Sequence, residues 1–207
     1  MNTFRRLGFL SFLVLLIGCT AFQTSTELHR GRVALLGGMP DAAVAHFTQV
    51  TALDGNVRYS QLREGAWTYL GRAYYDAKKY PEARQAFERA VAVDSEDSFA
   101  RLYLGLTLAR QGSHDIGQKE VLLGLKGLSD WLDYIAYNTP TGVYWDPTGQ
   151  IRAELQAAQS GVQVANPNLD TMFARLESLG TSIEQEIDLA SKDESRERNR
   201  RAGGGDD

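Results

Sequence analysis

The chain has 207 residues, with 22 lysines and arginines against 26 aspartates and glutamates, and its formal net charge is −4. It therefore lacks the basic excess that is typical of nucleic-acid-binding proteins. This length is enough for one sizeable hydrophobic core, and a low proline content suits packed helices. The single cysteine excludes an intramolecular disulfide.

The N-terminus has the pattern of an export signal. Arg5 and Arg6 precede an apolar run from Leu7 to Ile17. This run of 11 residues is too short for a helix that crosses a bilayer, which needs about 20 residues. A basic start, a short apolar stretch and then small residues predict a signal peptide over residues 1–18.

The end of this segment, Leu16-Ile17-Gly18-Cys19, resembles the lipobox of bacterial lipoproteins. In that family the cysteine sulfur receives a diacylglycerol, the signal is cut before the cysteine, and the new amine is usually acylated. The resemblance implies that Cys19 carries acyl chains such as palmitate and that residues 19–26 form a lipidated tether. Thr20 stands where an aspartate would indicate inner-membrane retention. The resemblance therefore favours the outer membrane, with the soluble domain facing the periplasm.

The central part of the chain, from Glu64 to Ser95, carries large and small side chains at fixed spacing. At 3.6 residues per turn they fall on one face of each of two helices, and Pro81 stands at the start of the second. The first helix contributes Trp67, Leu70, Gly71 and Tyr74, and the second contributes Ala83, Phe87 and Ala90. This pattern resembles a tetratricopeptide repeat at nearly every signature position. Only the closing proline is missing, because Glu96 follows Ser95.

Weaker copies of the pattern lie on both sides. The upstream copy consists of Gly31, Ala34, Gly38, Ala43, Phe47 and Val50. The downstream copy consists of Leu104, Gly105, Leu108 and Gly112, followed by Gly117, Val121 and Gly124. Because one such hairpin cannot bury its apolar face alone, we expect an all-α, tetratricopeptide-like solenoid of about three helical hairpins over residues 27–128.

Capping helices are predicted over residues 129–190, as a C-terminal helical extension of the solenoid. An apolar stripe extends the last repeat helix to about Tyr137. This stripe consists of Val121, Leu125, Leu128, Leu132 and Ile135. Residues 138–149 break the pattern, and Asp146-Pro147 is expected to begin the next helix, which ends near Gly161.

Two features of the C-terminal third have alternative interpretations. Tyr144 and Trp145 either pin their loop onto the repeats or form a platform for a ligand. A last helix, predicted to begin at Asn166-Pro167, has an apolar stripe that either packs on its own domain or zips to another chain. Its heptad positions are Leu169, Leu176, Ile183 and Ala190. Residues 191–207 are charged and then glycine-rich, which predicts a disordered tail.

The sequence contains no convincing catalytic constellation, so we do not expect an enzyme. His29, His46 and His114 are far apart, and none has a second ligand at the spacing of a metal-binding helix. The glycine clusters lack the Gly-Lys-Ser/Thr ending of a phosphate loop, and no Gly-x-Ser-x-Gly turn occurs. We therefore expect neither a cofactor nor a metal.

In tetratricopeptide repeats the first helices line a concave groove that holds peptides or partner segments. The resemblance implies six groove candidates beside the packing stripe, namely Arg32, Thr68, Arg72, Tyr75, Leu102 and Leu106. Two arginines, a tyrosine and an apolar end suit an extended or helical segment with some acidic character. Solvated helix faces are the other interpretation of the two arginines.

These patterns together predict a membrane-anchored adaptor or assembly factor in the bacterial cell envelope. Its partner would be another envelope protein or peptide segment, and its contact with the membrane would be the lipid anchor. Two other functions fit the same sequence: a glycan or small-ligand binding component of an envelope enzyme system, and a self-associating structural lipoprotein. The oligomeric state is open at this stage.

Overall fold

A computed structural model of the chain describes residues 21–59, 62, 64–163 and 169–203. The helices are α1 at residues 21–36, α2 at Pro40–Leu53, α3 at Ala66–Asp76, α4 at Tyr80–Val93, α5 at Ser98–Arg110, α6 at His114–Asn138, α7 at Gln150–Val162 and α8 at Leu169–Gly203, with a short 3-10 helix at Gly142–Tyr144. None of the helices in this part of the chain is both long enough and apolar enough to cross a membrane.

The first six helices form three hairpins that share one turn geometry. Each turn has three residues, and its middle residue lies in the left-handed region, with φ of +70° at Gly38, +60° at Lys78 and +87° at Gly112. In all three turns the next residue donates its N–H to the carbonyl five residues earlier, at 2.9 Å. This bond satisfies a carbonyl at the end of the first helix and stops that helix. The outer hairpins therefore repeat the central one, although their sequences match the pattern less well.

Within the central hairpin, the small residues of one helix lie against the large residues of the other. A Cβ atom added at Gly71 would lie 2.6 Å from the ring of Phe87, so the glycine permits the close approach of α3 and α4. The central signature residues Leu70, Gly71, Ala83, Phe87 and Ala90 are buried, whereas Trp67 and Tyr74 are partly buried. Since α2 packs on α3 and α4 packs on α5, the hairpins stack continuously. The architecture is the predicted all-α, tetratricopeptide-like solenoid.

The N-terminal predictions fall partly outside the described residues. The signal peptide over residues 1–18 and the lipidation site Cys19 both lie there. Residues 21–26, predicted to be part of a tether, instead form the first turns of α1. The reason is packing, because Thr24 in these turns and Leu28 in the following turn are buried.

Helix α6 joins the solenoid to its cap. It is 25 residues long and ends at Asn138, close to the predicted end at Tyr137. All five residues of its apolar stripe are buried. The predicted domain boundary at residue 128 therefore falls inside a continuous helix.

Helix α7 begins at Gln150, later than the predicted start at Asp146-Pro147. Asp146 nevertheless caps it from a distance. Its buried carboxylate accepts the backbone N–H groups of Ile151 at 2.9 Å and Arg152 at 3.1 Å. The aspartate thus satisfies two N–H groups that an α-helix leaves unpaired at its start.

Helix α8 is 35 residues long and extends well beyond the predicted boundary at residue 190. Disorder was predicted over residues 191–207 and is wrong for residues 191–203, which are helical. Two ion pairs within the helix support this end, because Glu197 contacts Arg200 at 2.6 Å and Arg201 at 2.7 Å. The predicted helix start at Asn166-Pro167 lies outside the described residues.

The apolar stripe of α8 packs against its own domain. Its buried members are Leu176, Leu179, Ile183, Ile187 and Ala190. The structure thus agrees with the first interpretation of this stripe, packing on its own domain, and not with pairing to another chain. The helix lies along the surface made by α1, α3 and α5, which is where the groove was predicted.

Candidate functional site

The six predicted groove residues are all buried, and α8 covers the surface to which three of them belong. Arg32 on α1, with Arg72 and Tyr75 on α3, contacts α8 directly. Their exposed fractions are 3%, 4% and 4%. The prediction of an open groove is therefore wrong, and so is the interpretation of the two arginines as solvated helix faces.

The other three candidates have different roles. The Thr68 hydroxyl donates to the carboxylate of Asp97, the N-cap residue of α5, and thereby ties α3 to α5. Leu102 and Leu106 are fully buried in the hydrophobic core. Their position beside the packing stripe reflects packing between helices rather than contact with a ligand.

One carboxylate at the centre of the groove bridges two repeats. Glu184 of α8 is 1% exposed. One of its oxygens accepts from Arg32 at 2.5 Å, and the other accepts from Arg72. Asp188, one turn further along α8, accepts a second guanidinium N–H of Arg32 at 2.6 Å. Two buried cations of the repeats are thus neutralised by α8.

Aromatic rings frame these cations. The Arg32 guanidinium lies 4.0 Å from the centroid of the Tyr59 ring and donates to the Tyr69 hydroxyl at 3.1 Å. The Arg72 guanidinium lies 4.8 Å from the centroid of Phe99 and 5.0 Å from that of Tyr103. Such ring contacts are most favourable when the cation is desolvated.

The protonation of the groove follows from burial and charge. Burial disfavours the charged form of Arg72, but the nearby Tyr103 and Glu184 more than offset it, and the pKa of Arg72 is raised above its ordinary value. The pKa of Tyr69 is well above its ordinary value, because burial and then the carboxylates of Glu184 and Glu64 disfavour the phenolate. The groove therefore presents charged guanidinium groups and neutral phenols.

A second set of contacts anchors α8 near the other end of the groove, in addition to those of Glu184. Tyr75 donates its hydroxyl hydrogen to Glu177 of α8 at 2.6 Å, and Arg110 of α5 contacts the same carboxylate at 2.9 Å. Arg110 also lies 4.1 Å from the ring centroid of Phe173, near the start of α8. Each of the helices α1, α3 and α5 thus supplies a cation that meets a carboxylate of α8.

The loop after α6 forms a third anchor. Trp145 is buried and donates its indole N–H to Glu194 of α8 at 2.8 Å. The next residue, Asp146, donates its backbone N–H to Glu186 at 2.5 Å. The structure therefore has the loop as a staple, which packs on α6 and is fastened to α8 by these hydrogen bonds. A ligand platform at Trp145 is incompatible with this burial.

Metal binding finds no support among the described residues, in which no group of three or more His, Cys, Asp and Glu side chains is suitably placed. His46 instead contacts Glu27 at 2.7 Å. The chemistry that this site offers is recognition of a helix through paired charges and apolar contacts.

Sequence reasoning missed most of the α8 side of the site. Glu177 and Glu184 are seven residues apart and therefore lie on one face of a helix, which is the one local signal that could have indicated them. Tyr59, Tyr69 and Tyr103 carry no such signal, because nothing in their local spacing distinguishes a cation-binding ring from a core ring.

Taken together, the stacked hairpins and the groove define a helical-repeat protein of the kind that holds a helix on its concave side. Two overlapping segments, residues 28–98 and 68–115, match the model of the tetratricopeptide repeat family. Residues 28–115 are thus similar to tetratricopeptide repeats, whereas α7 and α8 lie outside the match. No curated protein matches the chain.

Proposed function

We propose that this protein is a lipid-anchored adaptor of the bacterial cell envelope, which uses its tetratricopeptide repeats to bind another envelope protein. The observation that carries the proposal is the surface made by α1, α3 and α5, which holds the helix α8 through cations presented by three successive repeats. Repeats of this family commonly bind other proteins, and the match over residues 28–98 and 68–115 supports the same role here.

The envelope location rests on the N-terminal sequence. A basic start, a short apolar run and the segment Leu16-Ile17-Gly18-Cys19 favour export followed by lipidation of Cys19. Each buried methylene of an acyl chain adds about 0.8 kcal/mol to membrane binding, so two or three chains hold a protein stably. Thr20 supports the outer membrane, with the domain facing the periplasm.

The anchoring part of the proposal is tested by Cys19→Ser. We expect the variant to lose incorporation of radiolabelled palmitate and to remain as the longer precursor, because the sulfur that accepts the lipid is absent. Thr20→Ser is the matched control and should be lipidated and processed normally. Palmitate incorporation into the Cys19→Ser chain would rule out Cys19 as the anchor.

The adaptor part is tested by crosslinking in intact cells, identification of the crosslinked protein, and reconstitution of the complex from the two purified proteins. We expect saturable binding of one defined envelope protein in solution. If no identified protein binds the purified chain directly, the adaptor role is wrong. A chain that instead binds glycans in a saturable way would have the alternative function.

A further inference from the structure

We propose that the groove is a receptor for an acidic amphipathic helix of the partner protein, and that α8 is an intramolecular occupant which the partner helix replaces. This inference rests on the proposed adaptor function and deepens it, because it names the chemistry of the partner segment.

The carboxylates of α8 form a spaced set. Glu177, Glu184 and Asp188 follow the pattern i, i+7, i+11, which places them on one face of the helix over about 16 Å at 1.5 Å per residue. Their cationic partners come from three different repeat helices. Arg110 of α5 meets the first carboxylate, Arg72 of α3 meets the second, and Arg32 of α1 meets both the second and the third. Any helix with this carboxylate spacing offers the groove the same set of ion pairs.

The rest of the α8 surface adds shape to this charge pattern. Leu179, Ile183 and Ile187 lie beside the carboxylates and are buried. At Gly180 a Cβ atom would lie 2.2 Å from the hydroxyl oxygen of Tyr103, so the groove admits only a very small residue at this point unless the ring moves. The partner helix should therefore carry apolar residues beside its acidic positions and a glycine three residues after the first of them.

Helix α8 does not satisfy every hydrogen-bond donor of the groove. Among the described residues, the Nε atom of Arg72 is a buried donor without an acceptor. A buried polar group without a partner destabilises the state that contains it. A partner helix that places an additional acceptor beside Arg72 would therefore gain free energy that α8 does not.

The way in which α8 is attached also favours exchange. Its closest backbone packing is against α7 and the 3-10 helix, whereas it reaches α3 and α5 through long side chains such as Glu184 and Tyr103. Well-packed apolar residues often stabilise a fold as much as a buried ion pair does, or more, so these ion pairs do not by themselves hold α8 tightly. A tethered helix still competes at an effective concentration of about millimolar, so we expect the resident helix to mask the groove until a stronger partner arrives.

The test measures binding of a fluorescein-labelled peptide with the sequence of residues 169–203 to the full chain in detergent, by anisotropy. Glu184→Gln removes the central charge of the resident helix and leaves the groove residues intact. We expect this chain to bind the peptide at least about tenfold more tightly than the unaltered chain does, because the competing helix is weakened. The control Asp193→Asn changes an exposed carboxylate of the same helix and should bind like the unaltered chain.

The contribution of the acidic positions to binding is tested by changing one of them in the peptide. A peptide with the Glu184→Gln change should bind the Glu184→Gln chain about tenfold more weakly than the native peptide does. Equal binding of the native peptide to both chains, or equal binding of both peptides, would overturn the proposal. So would dimerisation of the Glu184→Gln chain with no peptide bound, since the occupant would then be a second copy.

A second variant keeps the proposal testable if the Glu184→Gln chain does not fold. Gly180→Ala loosens α8 by steric contact with Tyr103 and keeps every charge, so it should also increase peptide binding; an unchanged affinity in a folded Gly180→Ala chain would contradict the proposal. The peptide assay contains no envelope component. Its failure is therefore distinct from failure of the adaptor role, which is judged by the reconstituted complex.

Discussion

The central hairpin and the groove filled by α8 are stabilised in different ways. In the hairpin, Gly71 and Phe87 are apolar neighbours 16 residues apart, and the contact is set by the shape of two adjacent helices. In the groove, Arg72 and Glu184 are 112 residues apart and Arg32 and Asp188 are 156 apart, and the contacts are ionic. Short-range spacing thus determines the scaffold, whereas charge decides which helix fills the groove.

The largest change in stability is expected when an aromatic ring is removed from the central hairpin. Phe87→Ala should lower the free energy of unfolding by about 4 kcal/mol, because it empties a fully buried aromatic site against Gly71. Urea unfolding monitored by circular dichroism measures this change. Leu123→Ala is the control and should change stability by less than about 0.5 kcal/mol, since Leu123 is 51% exposed. Similar values for the two variants would contradict the packing of the hairpin.

A somewhat smaller effect is expected from the centre of the groove. Glu184→Gln leaves Arg32 and Arg72 buried without a bridging charge, which should cost about 3 kcal/mol in urea unfolding. The matched control replaces all three groups, as Arg32→Met, Arg72→Met and Glu184→Leu. We expect the triple variant to regain most of this loss, because no buried charge remains unpaired. A triple variant less stable than Glu184→Gln would mean that the ions themselves stabilise the fold.

The hydrogen bond from Thr68 of α3 to Asp97, which links two repeats, gives a prediction about the pH dependence of stability. Burial raises the pKa of Asp97 to about 6, even though Thr68 and the Ala100 N–H donate to it. The folded state therefore holds the proton more tightly than the unfolded state. The contribution of Asp97 to stability is full below its ordinary pKa of 3.8 and is lost as the pH rises through about 6.

The measurement compares unfolding free energies at pH 4 and pH 7.5 in the native chain and in Asp97→Asn. The native chain should lose at most about 3 kcal/mol more than the variant between these values, since one pKa unit corresponds to about 1.4 kcal/mol. An equal loss in both proteins would show that Asp97 titrates normally in the folded state.

The smallest effect concerns the staple at the end of α8. Trp145→Phe keeps an aromatic ring but leaves Glu194 without the indole donor, which should cost about 1–2 kcal/mol. Trp131→Phe is the matched control and should cost less, because Trp131 is only partly buried and its stacking on Tyr134 survives in a phenyl ring. Equal costs would mean that the bond to Glu194 does not hold the helix.

The sequence allowed much of the scaffold to be predicted and little of the site. The hairpins follow from local spacing, because Gly71 and Phe87 lie within one repeat. The occupant of the groove could not be predicted, since a helical carboxylate such as Glu184 looks the same whether it faces solvent or an arginine 112 residues away. The start of α7 was predicted too early, at Asp146, for a related reason: a carboxylate can cap a helix that begins several residues later.

Amide hydrogen exchange of α8 tests the central claim most directly. We expect Glu184→Gln to speed exchange along α8 by at least about tenfold more than it speeds exchange in α3 and α4, because the groove releases its helix while the hairpins stay folded. Exchange in α8 that stays as slow as in the native chain would contradict the account. So would acceleration by the same factor in all helices, since α8 would then be an inseparable part of the scaffold.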